Sequence, residues 1–170
     1  MPLALTEKTR SKSASVKSRI GCPTISMPAL AMTIARTLTI DTPREHVFAA
    51  VATLEGLAGW WTTLVDGRAE PGGEVRFRFE GLDEQIVMRV DDARAPEVLV
   101  WTCLEHSGHP EWAGTRILFE VEEFDEGSLL RFRHEGLLPG LECYEVCESG
   151  WERFLASIAD YAETGKGDPF

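Results

Sequence analysis

The segment Leu141–Thr164 constrains the fold more than any other part of the sequence, because it lacks proline and its apolar residues follow a helical spacing. The apolar positions are Val146 or Cys147, Trp151, Phe154, Leu155, Ile158 and Tyr161. At a rise of about 1.5 Å per residue the predicted helix is roughly 36 Å long, about the width of a small domain. Its apolar face therefore needs a long partner surface.

The region between Met32 and Gly136 supplies such a surface as short segments in which apolar and polar residues alternate. In Glu74–Glu80, for example, every odd-numbered residue is apolar and every even-numbered residue is charged. Short turns between the segments favour antiparallel neighbours. The predicted strands are Thr33–Ile40, Thr62–Asp66, Glu74–Glu80, Gln85–Asp91, Val98–Glu105, Thr115–Phe124 and Ser128–His134.

Two short helices are predicted after the first strand. The run Thr42-Pro43-Arg44-Glu45 has the residues of a capping box, in which the threonine accepts a hydrogen bond from the glutamate amide. A second helix is predicted over Leu54–Trp60, after a turn at Thr53. The predicted fold class is thus α+β: a curved antiparallel sheet of about six to seven strands, wrapped around a long C-terminal helix, with two short helices after the first strand.

The chain of 170 residues suits one domain, which we predict over residues 32–170. Residues 1–31 are basic and serine-rich and show no sustained periodicity, so they predict a disordered leader or a mis-assigned start codon. A transit peptide is the alternative, although the amphipathic helical pattern of such peptides is lacking.

The charge balance narrows the choice of partners. The formal net charge is −11, and because residues 1–32 hold five basic residues and one acidic residue, −15 falls on the remainder. An acidic domain is a poor candidate for binding nucleic acid or anionic lipid. No apolar run approaches the roughly 18 residues that a membrane span needs. Four cysteines without a CxxC pair indicate free thiols and a cytoplasmic location.

Several short motifs, in a fixed order, resemble the Aha-type branch of the SRPBCC proteins, which takes its name from activators of a heat-shock-protein-90 ATPase. The motifs are Thr42-Pro43-Arg44-Glu45-His46-Val47-Phe48, Trp60-Trp61, Pro71-Gly72-Gly73-Glu74-Val75, His134-Glu135-Gly136, Gly150-Trp151, Phe154-Leu155-Ala156-Ser157-Ile158, Tyr161 and Thr164-Gly165-Lys166-Gly167. The resemblance covers about residues 32–170. It implies a START-like helix-grip fold with a cavity between the sheet and the long helix.

The resemblance also implies three possible functions. Most members of the broad group bind a hydrophobic or amphipathic small molecule without a cofactor, and this is the leading hypothesis. The first alternative is a co-chaperone-like module that stimulates a heat-shock ATPase, and the second is a cofactor-free cyclase or hydrolase. The expected partners are a hydrophobic ligand and possibly a heat-shock chaperone, and the chain is expected to be a monomer or a homodimer.

The inward-facing aromatic residues and one methionine are the candidate ligand-binding residues, because apolar and aromatic side chains line most small-molecule pockets. These candidates are Trp61, Phe77, Phe79, Met88, Trp101, Phe119, Phe132 and Trp151. The same side chains can instead fill the core, as aromatic residues usually do.

His134 is a further candidate, since its position on the last strand places it inward, opposite the middle of the long helix. There it can orient a polar ligand end, act as a general base, or be a core histidine that is hydrogen-bonded to Glu135, Glu148 or the backbone. For the enzyme alternative it would work with Arg76, Arg131 or a glutamate. No motif of a known catalytic class accompanies it.

Two other groups of side chains are candidate metal ligands. His106 and His109 share a predicted loop with Glu105 and Glu111, and Cys143 and Cys147 lie one helical turn apart. Neither spacing matches a standard zinc site, so no metal and no cofactor are predicted. The histidine loop is instead predicted as a solvated lid at the mouth of the cavity.

Overall fold

The computed structural model describes residues 33–137 and 142–170, and the side chains of all of these except residues 142 and 143. The predicted leader lies outside the described residues. Along the chain the elements are β1 (Thr33–Ile40), α1 (Arg44–Ala52), α2 (Leu54–Trp60), β2 (Leu64–Gly67), β3 (Glu74–Arg78), β4 (Gln85–Arg94), β5 (Val98–His106), the 3₁₀ helix η1 (Pro110–Trp112), β6 (Arg116–Phe124), β7 (Gly127–Glu135) and α3 (Glu142–Thr164).

The strands form one seven-stranded antiparallel sheet in the order β1-β7-β6-β5-β4-β3-β2. Strands β2 to β7 follow one another as a meander, and β1 joins its far edge by pairing with β7, from Thr33 opposite Glu135 to Ile40 opposite Ser128. Shifts of register between β4 and β5 interrupt their pairing at two places, and such bulges increase the local bend of a sheet.

The alternation of buried and exposed residues along the strands determines which side of the sheet faces α3. On β3, Val75 and Phe77 are buried between exposed neighbours, and on β7 the buried residues include Leu130, Phe132 and His134. On α3 the buried face holds Trp151, Leu155 and Ile158 together with Cys147 and Ser157. The predicted α+β architecture, a sheet packed on a long C-terminal helix with two short helices early in the chain, is confirmed.

The opposite side of the sheet is a surface of paired charges. Arg131 lies 2.7 Å from Glu122, and Arg133 lies 3.3 Å from Glu120. Such cross-strand pairs of opposite charge favour the register but contribute little to stability at an exposed surface. On this face, therefore, arginines lie between the glutamates and offset part of their negative charge.

The two short helices start differently from each other. Thr53 caps α2, because its hydroxyl oxygen accepts a hydrogen bond from the Gly56 amide at 3.0 Å. The predicted capping box of α1 is wrong: Pro43 occupies the N-cap, and no side chain caps this helix. The hydroxyl of Thr42 instead lies 3.2 Å from Nδ1 of His46. Pro43 displaces the start of the helix by one residue, which carries the threonine out of reach of the Glu45 amide.

The last residues turn back over the fold after α3 ends. Gly165, with φ of 77°, donates its amide to the carbonyl of Tyr161 at 2.7 Å, as in a left-handed helix termination. The Asp168 amide then donates to the Ser157 hydroxyl, and the Phe170 amide donates to the Trp61 carbonyl, each at 2.7 Å. These bonds fix Phe170 beside the end of α2.

No helix in the described part of the chain is both long and apolar enough to cross a membrane.

A candidate ligand-binding cavity between the sheet and the last helix

An apolar cavity of about 260 Å³ opens where α3 diverges from the strands β3 and β4. This volume lies just below the range of about 300–1,000 Å³ that is common for small-molecule pockets, so the space suits a compact ligand. Its wall is mostly aromatic and aliphatic, with a few polar groups at one side. The lining residues are Trp61, Phe79, Leu82, Glu84, Ile86, His106, His109, Trp112, Val146, Cys147, Gly150, Trp151, Phe154 and Phe170.

The cavity owes part of its space to Gly150, which lies in the middle of α3 and on the cavity wall. A Cβ atom added to this glycine would meet no atom of the described residues within 4 Å. Glycine inside a helix costs about 0.5–1 kcal/mol relative to alanine. No close approach of another element requires glycine here, and the side chain that is missing leaves room in the cavity.

Three of the predicted ligand-binding residues, Trp61, Phe79 and Trp151, line the cavity. Trp61 and Trp151 lie with their ring centroids 5.4 Å apart and form its floor. Phe79 meets the Phe170 ring edge to face at 5.3 Å, so the C-terminal segment contributes a wall at the mouth. The remaining predicted residues are buried in the core and do not line the cavity. They are Phe77, Met88, Trp101, Phe119, Phe132 and His134.

His134 lies behind the cavity wall, where both of its ring nitrogens are hydrogen-bonded. Its Nδ1 accepts the indole N–H of Trp151 at 3.0 Å, and its Nε2 lies 2.9 Å from the Thr115 hydroxyl. That hydroxyl donates to the Trp112 carbonyl at 2.6 Å, so it accepts the proton of Nε2. The network fixes a neutral tautomer with the proton on Nε2.

Burial, with a smaller contribution from His106, lowers the pKa of His134 to about 3. A general base needs a free nitrogen near its substrate and a pKa near the working pH. The only basic nitrogen of this ring is occupied by the Trp151 indole. His134 therefore acts on the cavity indirectly, by holding Trp151 in the wall.

The segment predicted as a solvated loop carries the polar side of the cavity. Its residues Pro110–Trp112 form η1, and Trp112 is buried, with its indole N–H donated to Cys147 Sγ at 3.2 Å. Trp112 also stacks on Trp151, with the ring centroids 6.0 Å apart. His106 lies next to it and is 6% exposed. The prediction of a solvated segment thus fails at His106 and Trp112, which are buried in the cavity wall, while most of the other residues between them and up to Gly114 are exposed.

The groups weighed as metal ligands point in different directions. Glu105 lies on the outer side of the sheet, where it accepts a hydrogen bond from the Gln85 amide at 3.0 Å. His109 lies 3.7 Å from Glu111. Among residues 33–137 and 142–170, no group of three or more histidine, cysteine, aspartate or glutamate residues is placed to hold a metal ion. The side chain of Cys143 lies outside the described residues.

A larger hollow of about 540 Å³ lies on the outer side of the sheet, but it is shallow and mainly charged. The arginines in it already face carboxylates: Arg78 lies 2.7 Å from Asp66, and Arg76 lies 3.8 Å from Glu74. A polar hollow with paired charges offers a small molecule little to bind. The apolar cavity under α3 is therefore the better candidate site.

Sequence reasoning missed several cavity residues that carry recognisable signals. Gly150 is a glycine inside a strongly periodic helix, and Phe154 belongs to the apolar stripe of the same helix. Trp112 lies two residues after Pro110, in a segment rich in glycine and histidine. That composition is typical of an exposed loop, so the burial of Trp112 was not predicted. No local sequence pattern indicates that Phe170 borders the cavity, because the chain folds back after Gly165 through tertiary hydrogen bonds.

Comparison with known proteins gives one family match. The family described as "Activator of Hsp90 ATPase homolog 1-like protein" matches residues 41–163. No curated protein sequence matches the chain.

Solved structures share the architecture. The solution structure of the Aha1 dimer from Colwellia psychrerythraea is 29% identical and covers 79% of this chain and 98% of its own, with a TM-score of 0.68. SSP2350 from Staphylococcus saprophyticus is 22% identical over 81% of this chain and 96% of its own, with a TM-score of 0.65. CalU16 from Micromonospora echinospora is 16% identical over 81% and 84%, with a TM-score of 0.63. The last two show similarity of fold alone.

Proposed function

Because the chain belongs to the family of Activator of Hsp90 ATPase homolog 1-like proteins, we propose that it uses the fold of that family to bind an apolar or amphipathic small molecule between the sheet and α3. The family resemblance predicted from the motifs is confirmed by the same match. The observation that carries the proposal is the apolar cavity of about 260 Å³, with three tryptophans in its wall and a mid-helix glycine that leaves it open.

In this proposal Trp61, Phe79 and Trp151 contact the ligand directly. Flat aromatic walls favour flat apolar ligands, since offset stacking adds to the gain from burial. The deeper predicted residues support the wall: Phe132 packs on Trp151 with ring centroids 4.5 Å apart, and His134 holds the indole. No cofactor is part of the proposal.

N-phenyl-1-naphthylamine, an uncharged probe whose fluorescence rises in apolar surroundings, tests the proposal by titration. We expect one molecule to bind per chain and to quench tryptophan fluorescence, because Trp61, Trp112 and Trp151 line the cavity. Gly150→Leu should abolish binding by filling the space, while Gly150→Ala, which adds one methyl group, should retain most of it. Absence of binding, or equal binding to the leucine variant, would overturn the proposal.

A second candidate function is contact with a heat-shock chaperone, which the family description suggests. Three large apolar side chains are exposed around the mouth, Leu82 at 48%, Val146 at 63% and Phe170 at 41%, and a partner protein could cover them. The test is ATP turnover by the host's heat-shock-protein-90 chaperone with and without this protein. An increase that is lost in Val146→Glu supports this function, and an unchanged rate rejects it.

The cyclase or hydrolase alternative loses its proposed base, since neither nitrogen of His134 is free. The buried free thiol of Cys103 fits a reducing compartment, and on that ground we propose a cytoplasmic location. The Colwellia relative is a dimer. For this chain, monomer or homodimer stays a prediction, which light scattering after size exclusion would decide.

A further inference from the structure

On the polar side of the cavity, His106 carries a ring N–H group that no group in the described part of the chain accepts. We infer that the cavity selects uncharged ligands that carry a hydrogen-bond acceptor, such as a ketone or ester oxygen, and that the Nε2–H group of His106 recognises this acceptor. The inference rests on the proposed binding function and adds the chemical class of the ligand.

The geometry of His106 fixes which nitrogen carries the proton. This residue ends β5 and is 6% exposed. Its ring is held between the rings of His109 and Trp112, with centroid distances of 4.9 and 4.8 Å. Its Nδ1 accepts the backbone N–H of His109 at 3.0 Å, so the proton of the neutral ring is on Nε2.

The Nε2 atom has no hydrogen-bond partner in the part of the chain that the structure describes. Since His106 lines the cavity, water can satisfy this donor in the free protein. A ligand that displaces the water without supplying an acceptor would leave the donor unsatisfied, which is unfavourable in an apolar site. A ligand with an acceptor replaces the lost bond, and the cavity therefore discriminates between the two.

The charges around the donor favour an uncharged acceptor over a carboxylate. Glu84 lines the same cavity, and Glu111 lies 3.7 Å from the neighbouring His109. Burial, followed by the effect of His109, lowers the pKa of His106 to about 4, so the ring offers a neutral donor at neutral pH. A carboxylate ligand would lose its hydration and face the Glu84 carboxylate without gaining a cationic partner at His106.

Two probes of the same shape separate recognition by His106 from apolar binding. The probe 2-acetonaphthone carries a carbonyl oxygen where 2-isopropenylnaphthalene carries a methylene group. His106→Asn keeps an acceptor near the Nδ1 position for the His109 amide but removes the Nε2 donor, whereas His106→Gln places an amide N–H near Nε2. Each dissociation constant is measured by tryptophan quenching, and thermal unfolding confirms that the variants fold.

We expect the ratio of ketone to hydrocarbon dissociation constants to rise about five- to tenfold in His106→Asn relative to the wild type, and to recover in His106→Gln. In ¹H–¹⁵N NMR of the wild type, the ketone should move the Nε2–H proton resonance of His106 downfield relative to its position with the hydrocarbon, whose ring current is the same. Binding of both probes with equal ratios in all three proteins overturns this inference but leaves the binding function intact. Failure of both probes to bind the wild type overturns both proposals.

Discussion

The space between the sheet and α3 has two ends that differ in how completely they are filled. At the closed end, Phe119 packs on Phe132, Thr115 is hydrogen-bonded to His134, every one of these rings is buried, and both imidazole nitrogens are bonded. At the open end, Phe79, His106, Trp112 and Gly150 border a cavity, and one imidazole nitrogen has no partner in the described part of the chain. The same helix and sheet thus provide a rigid support and a vacant site side by side. The closed end should determine stability and the open end should determine binding.

Truncation at the closed end should have the largest effect on stability. Phe132→Ala removes a fully buried ring that packs on both Phe119 and Trp151. We expect a loss of about 3–5 kcal/mol in the free energy of unfolding, measured by urea denaturation. The matched change at the open end is Phe154→Ala, where a half-buried ring borders the cavity, with an expected loss of about 1 kcal/mol. Equal losses from the two variants would contradict the division into two ends.

Lowering the pH should give the second-largest loss in the free energy of unfolding, through His134 at the closed end. The folded-state pKa of His134, about 3, lies below the ordinary value of 6.5, so between these values the unfolded chain holds a proton that the folded chain lacks. This contribution to stability is intact above about pH 6.5 and falls as the pH is lowered, with a total loss of about 3 kcal/mol at pH 4.5. Urea denaturation at pH 7.0, 5.5 and 4.5 should show a shallower pH dependence in His134→Gln. Parallel profiles for the two proteins would show that burial does not hold this ring neutral.

Removal of one hydrogen bond at the closed end should cost less. Thr115→Val keeps the shape of the buried side chain but leaves His134 Nε2–H without an acceptor. We expect the free energy of unfolding to fall by about 1–3 kcal/mol. Thr115→Ser, which retains the hydroxyl, is the control and should lose less. If valine matched serine in thermal and chemical unfolding, the network would contribute nothing to the rigidity of this end.

The open end should respond in the opposite direction. Gly150→Ala should raise the free energy of unfolding by about 0.5–1 kcal/mol, because the helix gains propensity and the added methyl group meets no other atom. Gly56→Ala is the contrast, since its Cβ would collide with the carbonyl oxygens of Ala49 and Ala50. Thermal unfolding should therefore show opposite signs for the two substitutions. Destabilisation by Gly150→Ala would mean that the space around this glycine is not vacant.

The sequence predicts the fold well because alternation is a local property that tertiary structure preserves. Every predicted strand is present, and Phe77, Trp101 and Phe132 all face α3, as the period of two requires. The capping box failed because Pro43 takes the N-cap, so that the helix starts one residue later than predicted. The local pattern predicts the end of β1 at Ile40 correctly, but it does not specify which of the following residues takes the N-cap.

The position of the cavity is much harder to predict from the sequence. Alternation assigns a residue to a face, but it does not say where along α3 the facing side chains fail to meet. Phe77 and Phe79 carry the same signal, yet only Phe79 lines the cavity. Their difference comes from the distance between the helix and the sheet edge, from η1 bringing Trp112 inward, and from the fold-back of Phe170. All three are long-range features.

The pairing of the first strand with the last sets the order in which the molecule can be completed during synthesis. Among the described strands, β1 pairs with β7 alone, about a hundred residues further along the chain. At translation rates of about 5–20 residues per second, the nascent first strand waits roughly 5–20 s before that neighbour exists. Until then its backbone hydrogen-bonding groups have no sheet to join, and α3, which covers the sheet, is synthesised later still. The fold can therefore close only after α3 has emerged from the ribosome.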